Sequence, residues 1–316
     1  MVRRFADQSR KFCSAPGCLV GGLQHWAIDS VNWKTLSAED LEREYSPSSM
    51  VSDVEPFLSW YSTQSQRVRE DHSVNLYSDL SYGSSSEENL DLFLPDTSTQ
   101  PEGLPLLVFA HGGYWQQHSK NDHSFPATAW TSAGYAFASI NYGLAPTSNI
   151  PQMISRCRRA LNWLGENHVK YGFDKRKIYV MGHSAGAHLL ACAISPGIQD
   201  HDKSRLFFRP QRAILVGGIY DLQPISQTYV NVPLGLSIES ARTLSPQFFD
   251  SDPLVALDIV YAEYETNEFI RQSKAYAEKS SARTAHTKLI EVPGRHHFDI
   301  MLDMSRADAE IFKQLS

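Results

Sequence analysis

The stretch KIYVMGHSAGAHLLACAIS, residues 177–195, decides how this chain is read. It opens as a short apolar run and closes as a small-residue and leucine-rich helix, with Gly182-His183-Ser184-Ala185-Gly186 between the two. A Gly-x-Ser-x-Gly between a strand and a helix forms a very tight turn, and a larger flanking side chain would strike the neighbouring strand or helix. The turn lifts the Ser184 hydroxyl above the carboxyl edge of a sheet. It also sets the Ala185 amide at a helix amino end, where the dipole favours negative charge. Ser184 is therefore the candidate nucleophile.

Outward from that turn the chain alternates buried strands with helices. LPLLVFA (residues 104–110), YAFASINY (135–142), RAILVGGIY (212–220), LDIVYAE (257–263) and TKLIEV (287–292) are runs of the kind expected of strands covered on both faces. Helices are expected near 151–170, 185–194 and 268–279, with another closing the chain after Asp299. Upstream, SVNLYSDLSYG and ENLDLFLP alternate apolar and polar residues around a serine run and read as an antiparallel hairpin. A helix is expected to start at Ser37 and to end at Tyr45-Ser46-Pro47. The pattern is a mostly parallel sheet with an antiparallel hairpin at its start and helices on both faces. One domain over 1–316 is expected. Residues 1–40 form an amino-terminal leader, draped or mobile rather than a signal peptide, and 221–253 an excursion over the strand ends.

A serine hydroxyl needs a base and a place for the developing oxyanion. His111-Gly112-Gly113-Tyr114-Trp115 follows the first long buried strand. Its paired glycines let main-chain amides face a cavity, so Gly112, Gly113 and Ala185 are the expected oxyanion donors and His111 a brace for the loop. The base should follow the last strand, in the order serine, acid, histidine. TKLIEVPGRHHFDIM offers His296 and His297, and His297, followed by a Phe298 that can anchor the loop, is preferred. The acid should follow the preceding strand, where Glu265 is preferred over Glu263 and Glu268. Tyr114, Trp115, Tyr220 and Asn231 are expected in the pocket wall, though Tyr114 and Trp115 read equally well as core aromatics.

Composition narrows the class. The chain has 316 residues, 42% hydrophobic, with 29 basic and 35 acidic residues and a net charge of -6. That balance suits a packed globular protein and offers little to a phosphate backbone, so no nucleic-acid partner is expected. No run approaches the roughly 18 apolar residues of a membrane span. The four cysteines, at 13, 18, 157 and 192, form neither a zinc pattern nor a disulfide framework. Twelve histidines do not cluster at ligand spacing, and no nucleotide-binding glycine motif appears. No metal, no cofactor and a cytoplasmic location are the expectations. A homodimer is expected only because dimers are common among soluble enzymes.

With these motifs in order, the chain resembles the kynurenine formamidase (arylformamidase) family of serine α/β-hydrolases. The resemblance starts at REYSPSS (residues 43–49) and runs through HGGYW and GHSAGAH to GGIYDLQPI and PLGLSIESARTLSP. It ends in NEFIRQS and GRHHFD. The glycine and serine turns are shared with many esterases and lipases. The IYDL segment and the LGL…LSP excursion are more selective. The resemblance implies an α/β-hydrolase fold, Ser184 as nucleophile, His297 as general base, and N-formylkynurenine as substrate, split into formate and kynurenine. The family's acid is usually an aspartate, and its position falls on Glu265, a departure from the pattern. NYGLAP is similar to a segment of hormone-sensitive-lipase-like esterases. A carboxylesterase or amidase acting on another xenobiotic or biosynthetic intermediate is thus the alternative. A hydrolase-fold binding protein that has lost catalysis is a third reading, and the presence of both Ser184 and His297 weighs against it.

Overall fold

The computed structural model describes residues 32–71, 74–95, 103–198, 205–284 and 286–316. Most of the leader, with Cys13 and Cys18, lies outside the described residues. The eight strands are β1 (Asn75–Ser81), β2 (Asn89–Leu94), β3 (Leu104–Ala110), β4 (Ala136–Ile140), β5 (Phe173–His183), β6 (Arg212–Val216), β7 (Ala256–Tyr264) and β8 (Thr287–His296). They form one sheet in the order β1-β2-β4-β3-β5-β6-β7-β8. β2 runs antiparallel to both β1 and β4, and every other pairing is parallel. This is the α/β-hydrolase fold.

The continuous apolar runs are explained by packing on both faces. Leu106, Val108 and Ala110 join one core with the Ile150–Glu166 and Ala185–Ala193 helices, whereas Leu107 and Phe109 join the opposite core with Trp130, Met301 and Phe312. The Ile150–Glu166 helix starts in a capping box, Asn149 with Gln152. Its buried Arg158 donates to the carbonyls of Cys192, Ala193, Ser195 and Ile198, so it closes the far end of the helix that begins at Ser184.

Three expectations are corrected. The helix near 151–170 ends at Glu166, and a separate turn, His168–Tyr171, carries the chain to Gly172 in left-handed geometry. β8 does not stop before Pro293-Gly294 but continues to His296. Proline is tolerated there because β8 pairs with β7 alone, and a bulge at Ala262/Tyr264 absorbs the change. The closing helix is two short ones, Ile300–Asp303 and Glu310–Leu315. Residues 221–253 contain three 3-10 turns and the short helix Ile238–Thr243. Among the described residues no helix is long and apolar enough to cross a membrane.

The register brings the strand ends together. Ala110 lies opposite Gly182, His183 opposite Val216, and Val216 opposite Val260. Around that edge, besides His297, four imidazoles are buried. His111 and His188 are pushed down to about 4, and His123 and His183 well below the ordinary histidine value, in each case chiefly by burial. The folded chain therefore keeps them neutral while the unfolded chain protonates them below about 6.5. Stability is full above that pH and is lost as the pH falls toward 4, by about 1.4 kcal/mol per histidine per pH unit. Denaturant midpoints should show about 5 kcal/mol less stability at pH 5.5 than at pH 7.5. A loss under about 1 kcal/mol would mean that these rings are protonated in the fold.

Candidate active site

Ser184 sits between β5 and the Ala185–Ala193 helix with φ 53° and ψ -116°, a conformation that a non-glycine residue rarely adopts. Two features hold it there. Its amide donates to the Val216 carbonyl at 2.8 Å, which extends the β5–β6 ladder past the end of β5. The flanking glycines leave no alternative: a Cβ on Gly182 would lie 2.5 Å from the Ala187 nitrogen, and one on Gly186 would run into the Ala110 carbonyl.

His297 follows the end of β8 and is buried, as is Glu265, which follows β7. His297 Nδ1 lies 3.0 Å from Glu265 Oε2. With Nδ1–H donating to the carboxylate, Nε2 is left as the free basic nitrogen. Gly217, after β6, makes room for this pair. It has φ +54°, and a Cβ there would sit 2.9 Å from Glu265 Oε1 and 3.0 Å from His297 Nδ1. The neighbouring His183 donates from Nε2 to the His297 carbonyl at 3.0 Å, and the two rings lie 4.8 Å apart. Tyr61 donates its hydroxyl to the Phe298 carbonyl, tying down the next residue of the loop. The other acid candidates serve elsewhere. Exposed Glu263 accepts from the Gly294 amide at 2.7 Å, and buried Glu268 pairs with Arg271 at 2.7 and 2.8 Å.

The glycine loop packs directly on the serine turn. A Cβ on Gly112 would lie 3.2 Å from Ser184 Cβ and 3.1 Å from His183 Nδ1. The Gly113 carbonyl accepts the amides of Gln116 and Gln117, each at 3.0 Å. His111 stacks on Tyr142 at 4.5 Å, and the Tyr142 hydroxyl donates to the His111 carbonyl at 2.9 Å. Tyr114, Trp115 and His118 all have positive φ, so this loop concentrates backbone strain beside Ser184.

Gly112, Gly113, Tyr114, Ser184 and His297 line one cavity of about 230 Å³. Ala185 follows Ser184 as the first residue of the helix, and Glu265 stands behind His297. Three expected wall residues lie elsewhere. The positive φ values at 114 and 115 turn the chain so that the Trp115 indole is fully buried, edge-on to His188 at 5.1 Å. Tyr220 stacks on Tyr276 at 4.2 Å inside the core. The Asn231 amide closes its own loop, bonding Ser226 and both main-chain groups of Leu236. Tyr229 and Val230, just before it, face the cavity instead. The sequence reading missed a whole wall made by Pro47, Ser48, Val54, Leu58 and Tyr61. Val54, Leu58 and Tyr61 are spaced as one helical face, a signal that is legible, but spacing does not tell a core face from a cavity face. His118, His123, His183, Phe298, Gln116 and Gln117 complete the lining. A hydroxyl over a cavity, an imidazole on the same wall and a carboxylate behind it are the groups that acyl transfer requires.

A family model described as BD-FAE matches residues 90–226. The chain is 32% identical over 281 residues to the kynurenine formamidase of Danio rerio, spanning 85% of this chain and 92% of that protein. With the kynurenine formamidase of Salmo salar it shares 31% identity over 297 residues, 90% of this chain and 97% of that one. The crystal structure of a protein described as a thioesterase, from Silicibacter sp. TM1040, superposes with a TM-score of 0.75 at 22% identity, covering 87% of this chain and 98% of that one. The fold and these similarities make the chain a hydrolase, and by sequence it belongs to the kynurenine formamidase family of α/β-hydrolases.

Proposed function

We propose that the chain hydrolyses a small aryl formamide of the N-formylkynurenine type through a formyl ester on Ser184. The observation that carries the reading is the buried 3.0 Å contact between His297 and Glu265, with His297 and Ser184 on the wall of one cavity. Family membership supports the substrate class, and the rings of Tyr61, Tyr114 and Phe298 in the wall suit an aromatic leaving group. His297 Nε2 takes the Ser184 proton as Oγ bonds to the formyl carbon. The carbonyl electrons move to oxygen, and the oxyanion is met by the amides of Gly112, Gly113 and Ala185. As the C–N bond breaks, His297 returns the proton to the aniline nitrogen and the arylamine departs. Water, deprotonated by His297, then attacks the formyl ester, and formate leaves with Ser184 reprotonated. Glu265 orients the imidazole and stabilises its cation without taking the proton. We also read the chain as one hydrolase domain. The free, buried thiols of Cys157 and Cys192 support a reducing, cytoplasmic setting.

Ser184→Ala should lower kcat/KM for N-formylkynurenine by about 10⁴-fold or more and abolish labelling by a fluorophosphonate. Retained turnover would remove the serine mechanism. In a panel with a p-nitrophenyl ester and a bulkier anilide, N-formylkynurenine should give the highest kcat/KM. Fast ester cleavage with no formamide turnover would instead make the chain an esterase.

Glu265→Gln should cost about 10³- to 10⁴-fold in kcat, because the amide cannot stabilise the imidazolium. Glu263→Gln, at an exposed position whose carbonyl oxygen still accepts from Gly294, should stay within about threefold of wild type. The reverse ranking would move the acid to Glu263.

A further inference from the structure

Two hydroxyls from opposite halves of the site converge on consecutive carbonyls of a segment that lies outside the sheet. Tyr114, next to Gly113, donates to the Tyr45 carbonyl at 2.5 Å. Thr266, next to Glu265, donates to the Glu44 carbonyl at 2.6 Å. Glu44 and Tyr45 lie at the end of the Ala38–Glu44 helix and are buried, and more than 220 residues separate them from the acid loop.

The side chains reinforce both attachments. Thr266 is the N-cap of the Asn267–Ser281 helix, yet its hydroxyl makes no cap. The Glu44 carboxylate replaces it, accepting the Glu268 amide at 3.1 Å and the Asn267 side-chain amide at 3.1 Å. A carboxylate at a helix amino end is also favoured by the helix dipole. The Tyr45 hydroxyl donates to Glu268 Oε2 at 2.6 Å and accepts from Gln272 Nε2 at 2.7 Å. Two residues farther on, Pro47 and Ser48 form part of the cavity wall.

We propose that Glu44-Tyr45 is a positioning clasp that fixes the acid loop and the glycine loop relative to each other. A displacement of either loop then carries the other with it. This inference rests on the roles proposed for Ser184, Glu265 and His297. Neither residue is part of the cavity lining; each acts through its own peptide carbonyl, which accepts a loop hydroxyl, and through the helix end that its side chain holds. Without the clasp, the acid loop and the glycine loop would keep the sheet and the serine turn as a common support but lose their direct tie to each other. Misplacement of about 1 Å costs up to about 100-fold in rate.

The test is a double-mutant cycle on the full chain with Thr266→Val and Tyr114→Phe, each of which removes one hydroxyl and keeps the bulk. kcat, KM and melting temperature are measured with N-formylkynurenine. Each single variant should lose about tenfold or more in kcat with KM changed less than about threefold, since the pocket walls stay in place. The double variant should fall well short of the product of the two losses, because the second cut severs a coupling already broken. Glu44→Gln, which weakens the cap from the clasp side, should reproduce the kcat loss of Thr266→Val. Losses that multiply independently, or kcat values equal to wild type with only the melting temperature lowered, would overturn the clasp. Ser184→Ala serves as the control: if it stays active the site itself is misassigned, whereas an inactive Ser184→Ala beside independent losses defeats the clasp alone.

Discussion

One main-chain hydrogen bond, from the Ser184 amide to the Val216 carbonyl, holds together the arrangement on which the site depends. It keeps β5 paired with β6 after the strand has ended, so the chain must reverse into the helix within one residue. That reversal leaves Ser184 in its unfavourable backbone conformation. The strain persists because the surroundings over-determine it: parallel pairing with β3 and β6 on both sides, no space beside Gly182 and Gly186, and a helix locked at its far end by Arg158. Strand register thus sets the position of a single oxygen. The same register sets where β7 and β8 deliver Glu265 and His297.

The electrostatic character of the site follows from its depth. Imidazoles crowd the carboxyl edge, and burial keeps His111, His123 and His183 neutral. In the proposed mechanism that neutrality matters, because an imidazolium forms on His297 during each turnover and a charged neighbour would oppose it. His183 contributes by bonding the His297 backbone rather than its ring. Among the described residues the Glu265 carboxylate is the anionic group bonded to the His297 ring, and the missing side chain at Gly217 leaves the room that the longer glutamate and the imidazole fill.

The strands and the serine turn were legible because both are written in local patterns: apolar runs of strand length, and small residues at fixed offsets. Chain order then narrowed the base to His296 or His297 and the acid to three glutamates, and the structure sets Glu265 against His297. The pocket wall was not legible, and the reason is geometric. Trp115 and Tyr114 are adjacent, and a pair of positive φ values decides which of them faces the cavity. Tyr229 and Asn231 share one 3-10 turn, where no period of two or 3.6 tells inside from outside. The Glu44 and Tyr45 contacts were invisible for a different cause. A helix end reads as a helix end, and nothing local announces partners more than 220 residues away.

The hairpin at the sheet's edge looks dispensable until Lys120 is followed. This lysine belongs to the strained glycine loop, and its ammonium is buried against Asp79 of β1 at 2.7 Å and Asp91 of β2 at 2.8 Å, with Arg69 pairing to the same Asp91. A buried cation stripped of such partners is costly, so the loop and the hairpin stand or fall together. Trimming the molecule back to its parallel strands would therefore not yield a smaller enzyme. The outermost two strands are the mooring for a loop that would otherwise drift, and a minimal version of this scaffold has to begin with them.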